Sequence, residues 1–320
     1  MPPPPDRFAA TVAAAATAIP ATLVGGGRGW CTAVASILEA AAAKPGNVHP
    51  GASFPDLAFA DLTAAGIAIA PEFEAAAARP LGETILRAVT AAGAAAASNA
   101  NLGIVLAVAP LAATPGPTVG PAPLSAAAAD AVVAAAGPAD AAAIWTAIGQ
   151  AQPGGLGRAA RWDLAGPPPP AIREAMREAA DRDSIARLWS EGYAELFTGP
   201  VNDLAAALAD GWPLEAAIIR CHLRQLARRP DSLIGRRHGP AAAAEVMARA
   251  ATLLAREPAA VSAAADPDWL AAVTAFDASL RSPRRLNPGT TADLVAAALY
   301  ILLRDGRLVA GLPPFGTPSP

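Results

Sequence analysis

Tracts of alanine separated by glycine and proline limit most strongly what this chain can fold into. Four such tracts lie at 75–78, 94–97, 126–129 and 241–244. Alanine is the best helix former, but it buries little surface per residue. Aromatic residues make up only 5% of the sequence, so few large side chains can fill a core. We therefore predict helices that pack very closely, almost backbone to backbone, around a thin core.

The positions of the breaker residues predict an all-α fold, a single compact multi-helix array with few or no strands. No stretch shows the apolar–polar alternation and β-branched enrichment typical of strands. The final helix has the clearest ends, because Thr290 and Asp293 have the spacing of a capping box and Gly306 follows. Helices are predicted over 30–43, 56–70, 81–97, 100–113, 124–136, 138–150, 171–196, 201–210, 213–228, 240–256, 268–281 and 290–305.

The chain is predicted to contain one domain between two terminal segments. We expect a flexible N-terminal extension over 1–29, an all-helical domain over 30–310 and a C-terminal tail over 311–320. Prolines at 2–5 open the extension, and a glycine-rich stretch at 25–29 closes it. This stretch does not complete the GxGxxG pattern of dinucleotide-binding folds, so we interpret it as a linker.

Composition and charge exclude several classes of protein. The net charge is −3, so the chain lacks the basic footprint of a nucleic-acid binder. The two cysteines, Cys31 and Cys221, are too few for a disulfide framework or a cysteine zinc site. The start of the chain has no signal-peptide pattern, and the apolar run 294–303 is too short to span a bilayer. We expect a cytoplasmic protein without nucleic-acid or membrane partners.

Dense polar segments interrupt the alanine background and contain the candidate functional residues. They lie at 39–50, 98–103, 152–157, 181–187, 230–239 and 287–293. In the first, the turn Lys44-Pro45-Gly46-Asn47 offers a cation and backbone amides to a phosphate, or simply ends a helix. Glu39 lies near the C-terminal end of that helix, where the helix dipole disfavours a carboxylate. Either Mg²⁺ or Lys44 would compensate it, and a plain surface pair between Glu39 and Lys44 is the alternative.

Each further candidate also has a purely structural interpretation. Asp183 has the spacing to pair with Arg187, and Asp56 has the position of a helix N-cap. Asn99 and Asn101 interrupt a helical stretch, so they either end a helix or contact a ligand. The glycines at 154 and 155 expose amides but also suit an interhelix loop. Arg236, Arg237 and His238 are predicted to lie in a loop between two glycines rather than on a helix, where they suit phosphate oxygens or form a solvated charge run. Thr290, Thr291 and Asp293 suit a cap or a magnesium–phosphate site.

Taken in order, these segments resemble the triphosphoribosyl-dephospho-CoA synthases. The shared elements are a Glu followed by KPG, an Asn-x-Asn-x-Gly break, an ArgAsp pair, an AspSerLeuIle–ArgArgHisGly segment and NPGTTADL. The resemblance runs from about residue 30 to 306. It implies an all-helical enzyme that joins ATP to 3'-dephospho-CoA and releases adenine.

The resemblance also implies a site. A ribose hydroxyl attacks the anomeric carbon of ATP through an oxocarbenium-like transition state, which requires nearby carboxylates, while the intact triphosphate requires Mg²⁺ and cations. The catalytic residues expected are Glu39 and Asp183, and the Mg²⁺ ligands are Glu39, Asp56 and Asp293. Substrate and phosphate binding is expected from Lys44, Gly46, Asn47, Asn99, Asn101, Gly154, Gly155, Arg182, Arg236, Arg237, His238, Thr290 and Thr291.

Two departures from the family pattern keep other functions open. The family has Leu-Val-Asp after KPG and Thr-His-Lys-Gly in the Asn break, whereas this chain has Asn47-Val48-His49 and Ala100-Asn101-Leu102-Gly103. The missing basic residue weakens a phosphate site unless Arg236 or Lys44 replaces it. A related transferase with a pterin- or furan-type acceptor is therefore one alternative. A non-catalytic helical interaction protein is another.

Overall fold

The computed structural model describes residues 7–20, 23, 26–96, 101–116, 123–159, 161–258 and 266–308. Within these ranges the chain is helical and contains no β-strand. Two isolated bridges, His49–Ala52 and Phe54–Leu57, shape the loop that follows the second helix. The predicted all-α fold is confirmed. The predicted C-terminal tail and Asn99 lie outside the described residues.

The helices follow one another through short connections. In chain order they are α1 (Arg7–Ala16), α2 (Arg28–Ala41), α3 (Phe59–Ala68), α4 (Ala70–Glu74), α5 (Leu81–Ala95), α6 (Leu102–Ala112), α7 (Ala126–Ala135), α8 (Pro138–Ala151), α9 (Ile172–Ala179), α10 (Ser184–Ser190), α11 (Ala194–Leu196), α12 (Asn202–Ala209), α13 (Leu214–Arg228), α14 (Ser232–His238), α15 (Pro240–Leu254), α16 (Pro267–Arg281) and α17 (Gly289–Arg304).

Several elements differ from the sequence-based expectation. The predicted helix 171–196 is three helices, α9 to α11, because Asp183 caps a new helix and Tyr193 adopts a left-handed conformation. Residues 232–238 form α14 rather than a loop, with Asp231 as the capping residue. The region 1–29, expected to be flexible, contains α1, and Val12 and Ala16 of this helix are buried in the main core.

Three almost entirely buried helices form the centre of the molecule. Every residue of α17 except Gly289, Asp293 and Leu294 is buried, and in α2 every residue except Trp30 is buried. Helix α6 is apolar on all sides, as expected of a helix enclosed by others. Residues of α13 to α16 form a second, smaller core beside this centre. These three helices are therefore held by packing on most sides.

None of the helices that the structure describes is by itself long and apolar enough to cross a membrane. The sharply bent pair α7 and α8 meets the length and hydropathy requirement only when the two helices are added together. Both cysteines are free and buried.

The predicted close approach of helices is seen where glycines meet neighbouring backbones. A Cβ atom on Gly82 of α5 would lie 2.6 Å from both the Cα and the carbonyl oxygen of Asp140 in α8. The Gly82 amide also donates to the Asp140 carboxylate at 2.8 Å. A Cβ on Gly29 of α2 would lie 2.2 Å from the carbonyl oxygen of Ala70. Packing in this fold therefore depends on the absence of side chains at these contacts.

Substitution of two glycines in α5 tests this packing. Gly82→Ala is expected to destabilise the protein by about 1–3 kcal/mol, because α5 and α8 must move apart. Gly93→Ala is the matched control in the same helix, where an added Cβ has no atom within 4 Å. That substitution is expected to stabilise the protein by about 0.4–1 kcal/mol by restricting the unfolded chain. Urea unfolding followed by circular dichroism measures both, and equal effects would contradict the close-packing account.

Candidate active site

A cavity of about 430 Å³ opens where the ends of α2, α6, α10, α14 and α17 meet. Helices α8 and α9 and the loop between them close its other side. The side formed by the helix ends carries carboxylates, amides and guanidinium groups. The opposite side is mostly apolar, and it includes Trp145, Ile148, Leu156 and Met176.

Most of the site residues predicted from the sequence meet at this cavity. Those that line it are Glu39, Asn47, Asp56, Asn101, Gly154, Arg182, Asp183, Arg236, Arg237, Thr290 and Asp293. They come from segments that are far apart in the sequence. Lys44, Gly46, Gly155, His238 and Thr291 are described but are not among the lining residues. The shared cavity is the arrangement that an enzyme of the expected type requires.

Glu39 and Lys44 form an ion pair directly behind the cavity wall. The Lys44 Nζ lies 2.9 Å from Glu39 Oε1, and the Lys44 side chain is fully buried. Nζ also donates to the carbonyl oxygens of Glu39 and of Ala42, the latter at 3.2 Å. The expected surface pair is thus a buried one. Because these contacts occupy the ammonium group, Lys44 holds Glu39 and the end of α2 rather than facing a phosphate.

His222 lies near the Lys44 ammonium and is uncharged. The side chain is fully buried on α13. Burial, together with the nearby Lys44 ammonium, lowers the pKa of His222 to about 3. The imidazole is therefore neutral at working pH. The Lys44 charge is balanced by Glu39, with which Lys44 forms its ion pair.

Asp293 projects from the first turns of the buried helix α17 into the cavity. Within the described part of the chain, no hydrogen bond or ion pair involves its carboxylate. Burial, followed by the nearby charge of Glu39, raises the pKa of Asp293 well above its usual range. Gly103 makes room for this group, since a Cβ there would lie 1.9 Å from Asp293 Oδ2. An uncompensated acid beside a second acid is suited to binding a cation.

Asp183 is held by several contacts at once. Its Oδ1 accepts hydrogen bonds from the amides of Ile185 and Ala186, at 2.9 and 3.0 Å, and so caps α10. Its Oδ2 pairs with Arg236 of α14. The expected partner, Arg187, instead pairs with Glu195 at 3.0 Å. Since both carboxylate oxygens are engaged, Asp183 is placed to orient Arg236 rather than to accept a proton.

The predicted phosphate turn after α2 is fastened to the segment before α17. The Gly46 amide donates to Asp277 Oδ1 at 2.7 Å, which leaves it unavailable to a phosphate. Asn47 lines the cavity, and its Nδ2 donates to Asn287 Oδ1 at 2.9 Å. The Asn47 Oδ1 is buried and accepts no hydrogen bond from the described residues. Asn47 is therefore the member of this turn that is available to a ligand.

The interpretation of Asp56 as a helix N-cap is wrong. Asp56 is not an N-cap, because α3 begins at Phe59 and Asp61 accepts the amide of Ala58 at 2.8 Å. Asp56 instead pairs with Arg285, and this hydrogen bond holds the pKa of Asp56 below its usual value.

The capping box predicted at the start of the last helix is also wrong, because α17 begins at Gly289 after Pro288 and has no capping side chain. Thr290 and Asp293 therefore form no capping box. Thr291 is engaged elsewhere, because its amide and hydroxyl both donate to Asp231 Oδ2 at 2.8 Å.

The arginines of α14 and a glycine loop form the edge of the cavity. Arg236 and Arg237 lie in the last turn of α14, not in a loop as expected. Arg237 packs against Gly154, where an added Cβ would lie 2.7 Å from the guanidinium. Gly155 has a φ of +79° and lies against the backbone of Arg236. His238 is exposed at the end of the helix. The two arginines thus present charge at one edge of the cavity.

The sequence analysis missed several residues of this site. The lining residues Trp145, Trp162 and Arg285 were not singled out. Asn287 and Gly103 belong to segments that were singled out, but neither was predicted as a site residue. The two tryptophans carried a usable signal, because large aromatic residues are scarce in this chain. Arg285 gave no such signal, since its position depends on how the segment before α17 folds back toward Phe54, whose ring lies 4.2 Å from the Arg285 guanidinium.

The set of three acids predicted for Mg²⁺ is only partly assembled. No group of three metal-binding side chains is found among the described residues, and Asp56 is occupied by Arg285. However, Mg²⁺ bound to a nucleotide usually takes only one or two carboxylates beside phosphate oxygens. The unpartnered carboxylate of Asp293, with Glu39 nearby, fits that requirement. The chemistry of the site therefore suits a phosphate-bound cation.

The raised pKa of Asp293 predicts a pH-dependent effect on stability. An acid whose pKa is higher in the folded than in the unfolded state stabilises the fold at low pH and loses that contribution as pH rises. Asp293→Asn is therefore expected to raise the free energy of unfolding at pH 7–8 by roughly 0.5–2 kcal/mol, the usual size of a stabilising substitution. The gain is expected to shrink toward pH 4.

Asp231→Asn is the matched control. Burial raises the pKa of this carboxylate too, but the carboxylate accepts hydrogen bonds from Ile234 and Thr291. Because an asparagine amide cannot accept all of these hydrogen bonds, the substitution is expected to destabilise the protein by about 1–3 kcal/mol. Urea unfolding at pH 4, 6 and 8 measures both variants. An Asp293→Asn protein less stable than the wild type at pH 8 would refute the assignment of an uncompensated acid.

Comparison with known proteins identifies the fold and the family. Residues 28–310 match the sequence model of CitG, ATP:dephospho-CoA triphosphoribosyl transferase. A crystal structure from Archaeoglobus fulgidus, provisionally named a triphosphoribosyl-dephospho-CoA synthase, aligns with a TM-score of 0.53 and 20% identity. The alignment covers 76% of this chain and 97% of the other, which supports the fold. No curated protein matches the sequence significantly. Since the family match spans most of the sequence, the chain belongs to the ATP:dephospho-CoA triphosphoribosyl transferase family.

Proposed function

We propose that the cavity binds ATP and 3'-dephospho-CoA and transfers the triphosphoribosyl group of ATP to a ribose hydroxyl of the acceptor. The observation that carries this proposal is the convergence of Glu39, Asp293 and Arg236 on one cavity in a chain of this family. Membership of an enzyme family argues against the alternative of a non-catalytic helical protein.

The reaction exchanges one bond at the anomeric carbon. The acceptor oxygen forms a bond to this carbon, the bond to the purine nitrogen breaks, and its electron pair leaves with adenine. The acceptor hydroxyl loses a proton, and the departing adenine gains one. As positive charge develops on the ribose, nearby carboxylates stabilise it, as in glycoside hydrolysis. The triphosphate remains intact throughout.

We assign the acceptance of the hydroxyl proton to Glu39. Its Oε1 faces Lys44, while the described residues donate no hydrogen bond to its other oxygen. The Lys44 ammonium balances the negative charge of Glu39 next to the cavity. Asp183 is less suited to this role, because its two oxygens are already engaged by backbone amides and Arg236. Asp183 instead orients Arg236 for the substrate.

The phosphates are assigned to the cationic edge of the cavity. Arg236 and Arg237 present planar guanidinium groups, which bind phosphate oxygens in pairs. Arg182 and Thr290 also line the cavity. Asp293, with Glu39 nearby, would hold Mg²⁺, which would neutralise part of the triphosphate charge. This distribution assigns the arginines and Asp293 to the triphosphate of ATP and Glu39 to its ribose.

The altered Asn break supports a second candidate acceptor. Asn101 and Leu102 line the cavity where the family has a basic residue, so one cation is missing at this position. A pterin- or furan-type precursor with fewer phosphates than 3'-dephospho-CoA would tolerate that loss. The choice between acceptors is a measurable property of the same site.

Release of free adenine tests the proposed function. Purified protein with ATP, Mg²⁺ and 3'-dephospho-CoA is expected to release one adenine for each triphosphoribosyl product. Liquid chromatography with mass spectrometry measures both products. The failure of 3'-dephospho-CoA to stimulate release over the full range of Mg²⁺ would refute it as the acceptor. Stimulation by a pterin or furan alcohol alone would support the second acceptor.

The role of Glu39 is tested by a pair of glutamate variants. Glu39→Gln is expected to lower kcat by about 10²-fold or more, the usual contribution of a general base. Glu257→Gln is the control, because Glu257 also forms ion pairs, which are partly buried, with Arg220 at 2.6 Å and Arg224 at 3.0 Å, but lies outside the cavity. Its kcat is expected to stay within about threefold of the wild type, since no reacting group is changed. Similar losses in both variants would indicate a structural effect.

A further inference from the structure

The loop between α8 and α9 covers the apolar side of the cavity. We call residues 152–159 and 161–166 the strap. Its far end is tied to α8, because the Trp145 Nε1 donates to the carbonyl oxygen of Gly166 at 3.2 Å. Asp163 fixes the turn between, since its carboxylate accepts the amides of Ala159 and Ala165, each at 2.9 Å. These hydrogen bonds thus hold the described part of the strap in place as one wall of the cavity.

Trp162 combines two unfavourable features at one position of the strap. Its φ is +55°, a left-handed conformation that is rare for a bulky side chain. Its indole Nε1 is buried and has no hydrogen-bond acceptor among the described residues. The guanidinium of Arg161 lies 4.8 Å from the ring centroid, so one face of the ring is supported. Strain and an unused donor at a cavity wall are typical of a functional position.

The lining of the cavity offers two kinds of group that suit ATP. It includes the guanidinium groups of Arg236 and Arg237 and the indole rings of Trp145 and Trp162. ATP carries a highly charged triphosphate at one end and a planar purine at the other. Matching charge with charge and ring with ring assigns the triphosphate to the arginines and the purine to the tryptophans.

We propose that Trp162, together with Trp145 of the same cavity lining, binds the adenine ring of ATP. This proposal rests on the proposed function and names the subsite that holds the leaving group. Stacking on an aromatic ring binds any purine, and the unused indole N–H can donate to a ring nitrogen. When the glycosidic bond breaks, its electron pair goes to the purine. A donor at a ring nitrogen stabilises that charge, so Trp162 acts on the transition state as well as on binding.

Binding of two fragments tests the adenine subsite without requiring turnover. Free adenine and inorganic tripolyphosphate represent the two ends of ATP, and isothermal titration calorimetry measures each. Trp162→Ala is expected to weaken adenine binding by about 5- to 100-fold and to leave tripolyphosphate binding unchanged. Arg236→Ala is expected to show the opposite pattern. Trp269→Ala is the control, since this half-buried tryptophan of α16 lies outside the cavity.

A conservative variant separates stacking from hydrogen bonding. Trp162→Phe keeps an aromatic face but lacks the N–H group. It is expected to retain adenine binding within about threefold, since stacking tolerates a change of ring. Its kcat for adenine release is expected to fall about tenfold, because the departing purine loses its donor. Equal kcat values for Trp162→Phe and the wild type would overturn the leaving-group role.

The remaining outcomes distinguish the adenine subsite from the reaction. Unchanged adenine binding in a folded Trp162→Ala protein would overturn the subsite even if the wild type releases adenine normally. Loss of adenine binding in that variant would support the subsite even if 3'-dephospho-CoA never triggers release in the wild type. Displacement of adenine by 3'-dephospho-CoA as effectively as by ATP would overturn the assignment to the donor.

Discussion

The buried ion pair between Lys44 and Glu39 is the interaction on which the active-site cavity depends. A carboxylate near the C-terminal end of a helix faces the negative end of the helix dipole. The Lys44 side chain folds back to this end of α2. Its ammonium group pairs with the Glu39 carboxylate and donates to the backbone carbonyls of Glu39 and Ala42. A buried pair of this kind fixes a geometry more than it adds net stability, because removal of either partner leaves a buried charge unbalanced. The end of α2 is therefore held in one position against the cavity.

The alanine-rich scaffold allows the other helix ends to reach the same place. Small side chains let helices approach one another closely, as Gly82 and Asp140 show. The central helix α17 is enclosed along most of its length, yet it presents Asp293 at its open end. Gly103 at the start of α6 leaves the space that this carboxylate occupies. Tight packing thus both forms the cavity and keeps its acids in place.

Charge is distributed unevenly among the acids of the cavity. Lys44 balances Glu39, Arg285 balances Asp56, and Arg236 balances Asp183. Asp293 has no such partner in the described part of the chain, and burial raises its pKa. Functional sites commonly carry features that reduce stability, and those features point to what the bound ligand supplies. Here the missing partner is positive, in agreement with a phosphate-bound Mg²⁺.

The sequence by itself determined the helical class, most helix positions and the set of polar segments that contains the site. Helix breakers and alanine tracts act on local structure, so helix positions can be predicted from them without knowledge of tertiary contacts. The family motifs can be recognised because they keep their order along the chain. Only the tertiary structure decided which partner each charged group has. Asp183 pairs with Arg236 rather than with the nearby Arg187, and Lys44 points inward rather than toward a phosphate. Such choices depend on contacts between distant segments, because the energy of an ion pair is set by burial and by competing partners that sequence spacing does not contain.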